Sequence, residues 1–259
     1  GGGARRTDPA ENSRPMTSRS RRPGTPRDRK LPAEAPAPAG RQKTVGFGFV
    51  ALLSFLAGMT DAIGFLRAGD FLSFMSGNTT RLAIAIGEGH GGDIARLAAI
   101  LLVFVTGNAT GVVLVRTTGE RQWPLLMAVT VVTGLVAALA GAAPSPWSYL
   151  PLVFAMGMLN AAVDTVAGHP IGLTYVTGAL SRFGKGLGRF LCGDLRLGFL
   201  VQMFPWIGMI AGAVTGVFLL QAWQEAAIWA IGALALLLTL ISLAVPRSWM
   251  RHSFGLGRP

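Results

Sequence analysis

One cysteine, Cys192, stands in a chain of 259 residues, so no internal disulfide can close and no cysteine cluster can hold a metal. The three histidines, His90, His169 and His252, lie too far apart in sequence for a metal motif, and no cofactor is implied. Charge is scarce too. Charged residues make up 14% of the chain, against about 25% in an ordinary soluble domain. Hydrophobic residues make up 51% and the mean hydropathy is +0.50, which points to a lipid environment. Also missing are a Gly-x-Ser-x-Gly elbow, a His-Glu-x-x-His pair and a phosphate loop ending in Lys-Ser/Thr. An enzyme is therefore the weaker functional class.

The charge that is present sits at the ends. Before Val45 there are eleven Lys and Arg against four acids, and after Val245 three Arg and no acid, which leaves the body almost neutral within a formal +11. Such tails suggest nucleic acid, but an apolar body offers no basic face to enter a groove, and no nucleic-acid partner is expected. Anchoring on the cytoplasmic side explains them better, because Lys and Arg beside spans orient a membrane protein and meet anionic lipid. Residues 1–43 are rich in Pro, Arg, Ala and Gly without apolar periodicity and read as a disordered cytoplasmic tail. Residues 246–259 form a second basic cytoplasmic tail. The Arg21-Arg22 pair invites a twin-arginine export reading. The apolar stretch starts more than twenty residues later and is too long for a signal region, so the first span is expected to be retained.

Crossing the hydrocarbon as helix takes about 20 mostly apolar residues. Six windows qualify, at 45–66, 97–115, 123–143, 147–168, 197–220 and 226–245. Two shorter apolar stretches, 71–87 and 171–187, are broken by Gly, Ser, Thr, Asn and Arg, which suits re-entrant or interfacial elements tucked inside the protein. With the tails in the cytoplasm, six spans put Arg116 and Arg121 inside together with Arg182, Lys185, Arg189 and Arg196, in keeping with the positive-inside rule. The rival count makes the two short stretches full spans, giving eight crossings and placing that four-cation run partly in lipid.

A shift of about one hundred residues brings two halves into register. Phe55, Gly58, Met59 and Ala62 match Phe154, Gly157, Met158 and Ala161, with Asp61 opposite Asn160. Two residues of slip later, residues 73–77 face 174–178 and Arg81 faces Arg182. The same offset carries on to Gly107 and Gly111 with Gly208 and Gly212. This is a duplicated unit, residues 44–146 and 147–245. Each unit holds three spans, an odd number, so the second enters the membrane from the opposite side. The expected fold is an all-α polytopic membrane protein of six transmembrane helices in two inverted three-helix repeats, each with a short broken or re-entrant segment. Secondary transporters are often built this way, with interrupted helices meeting near the midplane, although duplication alone does not require transport.

Ser54, Ala57, Gly58, Asp61 and Gly64 form one small, polar face of the first helix, and Gly157, Asn160, Ala161, Asp164 and Gly168 repeat it in the fourth. Both faces are expected to point inward, where a buried polar group pairs with a neighbouring helix instead of lipid. An Asp at mid-bilayer costs about 2.5 to 3.5 kcal/mol on insertion scales, so it calls for a partner or a function. Asp61, with Asp164 nearer a helix end, can be a proton or cation site. Alternatively it is structural glue, paired with Arg81 or Arg182. Ser76, Gly77, Asn78 and Thr79, with Thr174, Thr177 and Gly178 in the second half, place hydroxyls, an amide and flexible backbone in the broken segments. They can contact a ligand, or Ser76 or Asn78 can simply cap the short helix that follows.

The runs Phe55-Leu56-Ala57-Gly58-Met59-Thr60-Asp61-Ala62, Gly69-Asp70-Phe71 and Met75-Ser76-Gly77-Asn78 resemble the YoaK-like family of bacterial integral membrane proteins. So do Gly157-Met158-Leu159-Asn160-Ala161 and Thr174-Tyr175-Val176-Thr177-Gly178. The resemblance spans residues 45–245; Ser76 stands where the family pattern has Thr and keeps the hydroxyl. It implies a bacterial inner-membrane protein of unknown function and at most a transporter. The expected function is a small-solute transporter or permease, proton-coupled through Asp61, with a site at the repeat interface. The alternative is a scaffold or sensor that acts through its basic tail. The expected partners are the lipid bilayer and a small solute, and Gly-x-x-x-Gly pairs leave a homo-oligomer open.

Overall fold

The computed structural model describes residues 40–119, 121–139, 145–161, 165–166, 169–170 and 176–244, all within the compact unit Pro38–Pro259. Among the described residues eight α-helices follow one another: α1 (Gly40–Ala68), α2 (Met75–Glu88), α3 (Gly91–Thr117), α4 (Trp123–Leu139), α5 (Leu150–Asn160), α6 (Val176–Leu191), α7 (Met203–Trp223) and α8 (Ala227–Ala244). Between α5 and α6, Thr165–Val166 and His169–Pro170 pair as a two-residue antiparallel ladder, β1 with β2. This is an all-α polytopic membrane fold. Among the described residues four helical stretches are long and apolar enough to cross a membrane, Thr44–Ala68, Gly91–Thr117, Leu197–Trp223 and Ala227–Ala244.

Two of the six sequence windows are therefore shorter than expected. The third is helical over Trp123–Leu139, and its 17 residues reach about 26 Å at 1.5 Å each. The fourth is helical only to Asn160, preceded by a 3₁₀ turn at Pro146–Tyr149. Asp164, Thr165 and Gly168 are poor helix formers in the rest of that stretch, and Thr165–Val166 is extended, paired with His169–Pro170 just beyond it. The two broken stretches form α2 and α6, helices of 14 and 16 residues.

Glycine on one helix against a carbonyl on another fixes how the long helices pack, because a missing Cβ lets two backbones approach. A Cβ on Gly208, Gly212 or Gly216 of α7 would strike the carbonyl oxygens of Ala51, Phe55 and Met59 of α1, so these helices run side by side in the same direction. On α3, Gly107 and Gly111 likewise sit against Phe154 and Met158 of α5, again parallel. The return contacts match as well, with Gly58 on Met209 and Gly157 on Phe104. Against their partner helices, Gly107 and Gly111 thus occupy the places of Gly212 and Gly216. The alignment with Gly208 and Gly212 was one helical turn short. The third pair, α4 with α8, runs the other way: Thr130 Oγ1 lies 3.2 Å from Thr239 Oγ1, while Gly232 lies against Thr133 and Gly134.

Helix α1 lies deepest. Val50, Leu53, Ser54, Leu56, Thr60 and Ile63 are all fully buried, and Ala57, Gly58, Asp61 and Gly64 share that burial, as the small, polar face predicts. Thr60 donates its hydroxyl to the Leu56 carbonyl of its own helix at 2.8 Å, which removes the cost of burying it.

Candidate functional site

The loop between α1 and α2 is tied down by a single carboxylate. Gly69, at φ 77°, turns the chain out of α1. Asp61 then accepts the backbone N–H groups of Leu72 at 2.8 Å, Ser73 at 2.6 Å and Phe74 at 3.4 Å, all on Oδ1. Ser73 donates its hydroxyl to Oδ2 at 2.6 Å. Each carboxylate oxygen can accept about two hydrogen bonds, so Oδ2 keeps an acceptor position. Asn78 ties the same loop from α2: Phe71 N–H donates to its Oδ1 at 3.2 Å, and its amide donates back to the Phe71 carbonyl at 2.6 Å. The Leu72 side chain fills the space left by Gly64, where a Cβ would lie 2.6 Å from Leu72 Cδ1.

Beside this loop lies an ion-pair network. Asp70, 1% exposed, faces Arg81 of α2 at 2.7 Å and Arg96 of α3 at 2.9 Å. Arg81 also donates to the Gly69 carbonyl, and Arg96 reaches Asp93 at 2.9 Å. The Arg96 Nε–H is not aimed at Asp70, so that contact is an ion pair without hydrogen-bond geometry. In the second half Arg182 of α6 donates instead to the amide oxygen of Gln202 at 2.8 Å, in the 3₁₀ turn that leads into α7.

A cavity of about 490 Å³ opens between α1, this loop, the start of α6 and α7. Phe65, Phe71 and Phe74 form one wall, with Phe65 stacked on Phe71 at 4.7 Å and Phe74 edge-on to Phe71 at 5.3 Å. Gly77 makes room for that wall, since a Cβ there would lie 2.6 Å from the Phe74 ring. Met209, Ala213 and Val217 of α7 form the opposite wall, and among the described residues the polar side chains lining the cavity are Asp61 and Thr177. Among the described residues no three His, Cys, Asp or Glu side chains gather as a metal site.

Residues 49–241 match the family model described as "Protein of unknown function (DUF1275)". The chain belongs to the DUF1275 family. It is 44% identical over 210 residues, 81% of this chain and 91% of the relative, to a UPF0700 transmembrane protein of Rhizobium meliloti (strain 1021). No solved structure matches the chain. The family read from the Phe55–Ala62 and Met75–Asn78 motifs is thus the right one, and the chain is a bacterial multi-pass membrane protein.

In this DUF1275 protein the candidate residues read from the sequence do not all converge. Asp61 and Thr177 share the cavity. Asn78 is fully buried and spends its amide on the loop, while Ser76 and Thr79 are exposed on α2, and Thr79 donates to the Met75 carbonyl of its own helix. Neither Ser76 nor Asn78 caps α2, whose N-cap position is Phe74. Asn160 ends α5, half-buried, and Gly178 lies in the first turn of α6. Asp164 and Thr174 lie outside the described residues. Arg81 pairs with Asp70, not Asp61, because Asp61 points to the N–H groups of residues 72–74 while Asp70 lies between α2 and α3. The residues missed by sequence reasoning are Ser73, Asp70 and Arg96, with the three phenylalanines and the α7 wall. The Gly69-Asp70-Phe71 run was a visible signal for the loop, but nothing local pointed to Arg96 or Met209.

Proposed function

We propose that this DUF1275 protein is a small-solute permease built from two inverted repeats, with its site in the cavity beside Asp61. The observation that carries the reading is the cavity itself, which joins the interrupted region of the first half to the start of α6 and to α7 of the second. Inverted-repeat transporters place their sites where such interrupted segments meet. The helix directions support inversion. In a six-span chain α1 and α7 cross one way and α3 and α5 the other, so both pairs run parallel, while α4 and α8 oppose each other. An eight-span chain makes α4 and α8 parallel, contrary to their contacts. Both termini then lie in the cytoplasm, as the basic tails suggest. Alkylation of native Cys192, and of Gly91→Cys in a Cys192→Ser background, tests this, since six spans place the two thiols on opposite sides.

The lining sets the solute class. Phenylalanine, valine, methionine and leucine walls suit an apolar or aromatic body, and the spare acceptor on Asp61 Oδ2 suits one hydroxyl or amine. Asp61 also links the cavity to the loop: a proton on its carboxylate would weaken the charge-assisted hydrogen bonds from the Leu72 and Ser73 N–H groups, so its charge state biases the loop, which is the proposed route of proton coupling.

The test compares solutes inside and outside cells that lack or overproduce the protein, then follows the responding solute in reconstituted vesicles. Ala213→Trp, which fills the cavity, is expected to abolish flux while the protein stays folded, and Asp61→Asn to remove its pH dependence. Flux that persists through a filled cavity refutes the site. Deleting residues 1–43 separates the permease from a tail-driven scaffold, because a permease body keeps its flux.

A further inference from the structure

Helix α6 divides its surface into three arcs. At 100° per residue, Ala179, Phe183, Gly186 and Phe190 fall on one side and seat against the protein: Ala179 is buried and Gly186 touches Phe199. Phe183 and Phe190 hold their rings 5.4 and 6.2 Å from that of Phe199. Next to this seat runs a row of exposed leucines. Leu180 and Leu187 are each 40% exposed and Leu191 is 77% exposed. On the far side Ser181, Lys185 and Arg189 follow one another every four residues, all exposed. The helix is too polar and too short at 16 residues to cross the hydrocarbon.

We propose that α6, whose first turn reaches the cavity, brings its later turns into the membrane interface and binds anionic phospholipid there, with Lys185 and Arg189 on headgroup phosphates and Leu180, Leu187 and Leu191 among acyl chains. A helix with a cationic row beside an exposed leucine row has the build of an interfacial anchor. Charge decides the partner. From Val176 to Arg196 the chain carries Arg182, Lys185, Arg189 and Arg196 against one acid, Asp194, which lies 3.6 Å from Arg196. Arg182 is committed to Gln202, which leaves Lys185 and Arg189 for a ligand. A second copy of the chain docking the same face would set cation against cation, whereas lipid phosphate complements the row. Glycines 184 and 188, with open space around them, let headgroups come close to the helix backbone. The proposal needs only a membrane-embedded chain and is independent of transport.

Cys192, exposed and adjoining Leu191, is a native reporter because no other cysteine competes for label. The full-length protein, labelled there with a small fluorophore, is placed in phosphatidylcholine nanodiscs. These carry either brominated phosphatidylglycerol or brominated phosphatidylcholine at the same mole fraction. The expected result is stronger quenching by the phosphatidylglycerol, with a local enrichment of about fivefold for each surface cation. The preference should fall as salt rises. Lys185→Gln with Arg189→Gln should erase the preference while leaving quenching by brominated phosphatidylcholine, which shows that α6 still lies in lipid; Lys185→Arg should keep it. Equal quenching by both lipids in the wild-type protein overturns the headgroup site. A label that neither lipid quenches means that protein covers the leucines, and that overturns the interfacial placement.

Discussion

Helices α2 and α6 take the same place in the two halves, each the short helix after a long or interrupted first one, yet they are held by different means. The start of α2 is locked by buried polar groups: Asp61 and Asn78 hold its loop, and Asp70 joins α2 to α3 through two arginines. Among the described residues helix α6 has one side-chain polar tie, Arg182 to Gln202, and otherwise leans on Phe199 with Lys185, Arg189 and its leucines exposed. The contrast teaches that the packing of the long helices is alike in the two halves, where glycine meets carbonyl at matching positions, whereas the short helices are held differently. Buried charge makes one of them rigid. Exposed charge makes the other a surface for lipid.

The largest expected effect is on the rigid side. Asp61→Ala removes the acceptor of two short backbone hydrogen bonds and the Ser73 hydroxyl together. Each buried donor left without a partner costs about 1–3 kcal/mol, so the loss should reach several kcal/mol, read as a fall in thermal midpoint in detergent. Asp61→Asn keeps an acceptor oxygen and should lose less. If Asp61→Ala unfolds at the wild-type temperature, the loop is not held as described. Next comes Asp70→Ala. Stripping the partner from buried charges commonly costs about 3–5 kcal/mol. The figure should be nearer 2 here, because Arg81 is a third exposed and keeps the Gly69 carbonyl, and Arg96 keeps Asp93. Arg182→Ala in the second half breaks a single, partly exposed bond to a neutral amide and should cost about 1 kcal/mol. An equal loss for Arg81→Ala and Arg182→Ala would erase the contrast between the halves.

Much of this fold was legible because membrane spans announce themselves. Long apolar runs set α1, α3, α7 and α8, and the Phe55-to-Ala62 match with Phe154-to-Ala161 corresponds to the like contacts of Gly58 on Met209 and Gly157 on Phe104. Two things were hidden. The fourth window looks like a span by hydropathy, but hydropathy does not register that Asp164, Thr165 and Gly168 have low helix propensity. The Gly107 and Gly111 alignment slipped a turn because α7 offers three glycines at four-residue spacing, and only the carbonyls they touch choose between Gly208 with Gly212 and Gly212 with Gly216. The site was half legible. Asp61 stood out as a carboxylate in an apolar helix, whereas its partners are backbone N–H groups, which carry no letter in a sequence. Arg81 seemed the natural counter-ion until Asp70, sequestered by the turn at Gly69, proved nearer.

The smallest effects sharpen the view of α6. Glycine inside a helix costs about 0.5–1 kcal/mol relative to alanine, and α6 carries Gly184, Gly186 and Gly188 in its middle turns. A Cβ on Gly184 or Gly188 meets nothing within 4 Å, but one on Gly186 runs into the Phe199 side chain. Gly184→Ala should therefore raise the thermal midpoint slightly, by a gain of up to about 1 kcal/mol in helix propensity. Gly186→Ala should lower it by a comparable amount, since Phe199 must shift or the helix must lift from its seat. The two substitutions are chemically identical and two residues apart, so the gain in helix propensity is shared, and what differs is that Gly186 faces the seat and Gly184 faces away from it. A pair of shifts with the same sign would mean that α6 does not rest on Phe199, and the three-arc description of its surface would have to be redrawn.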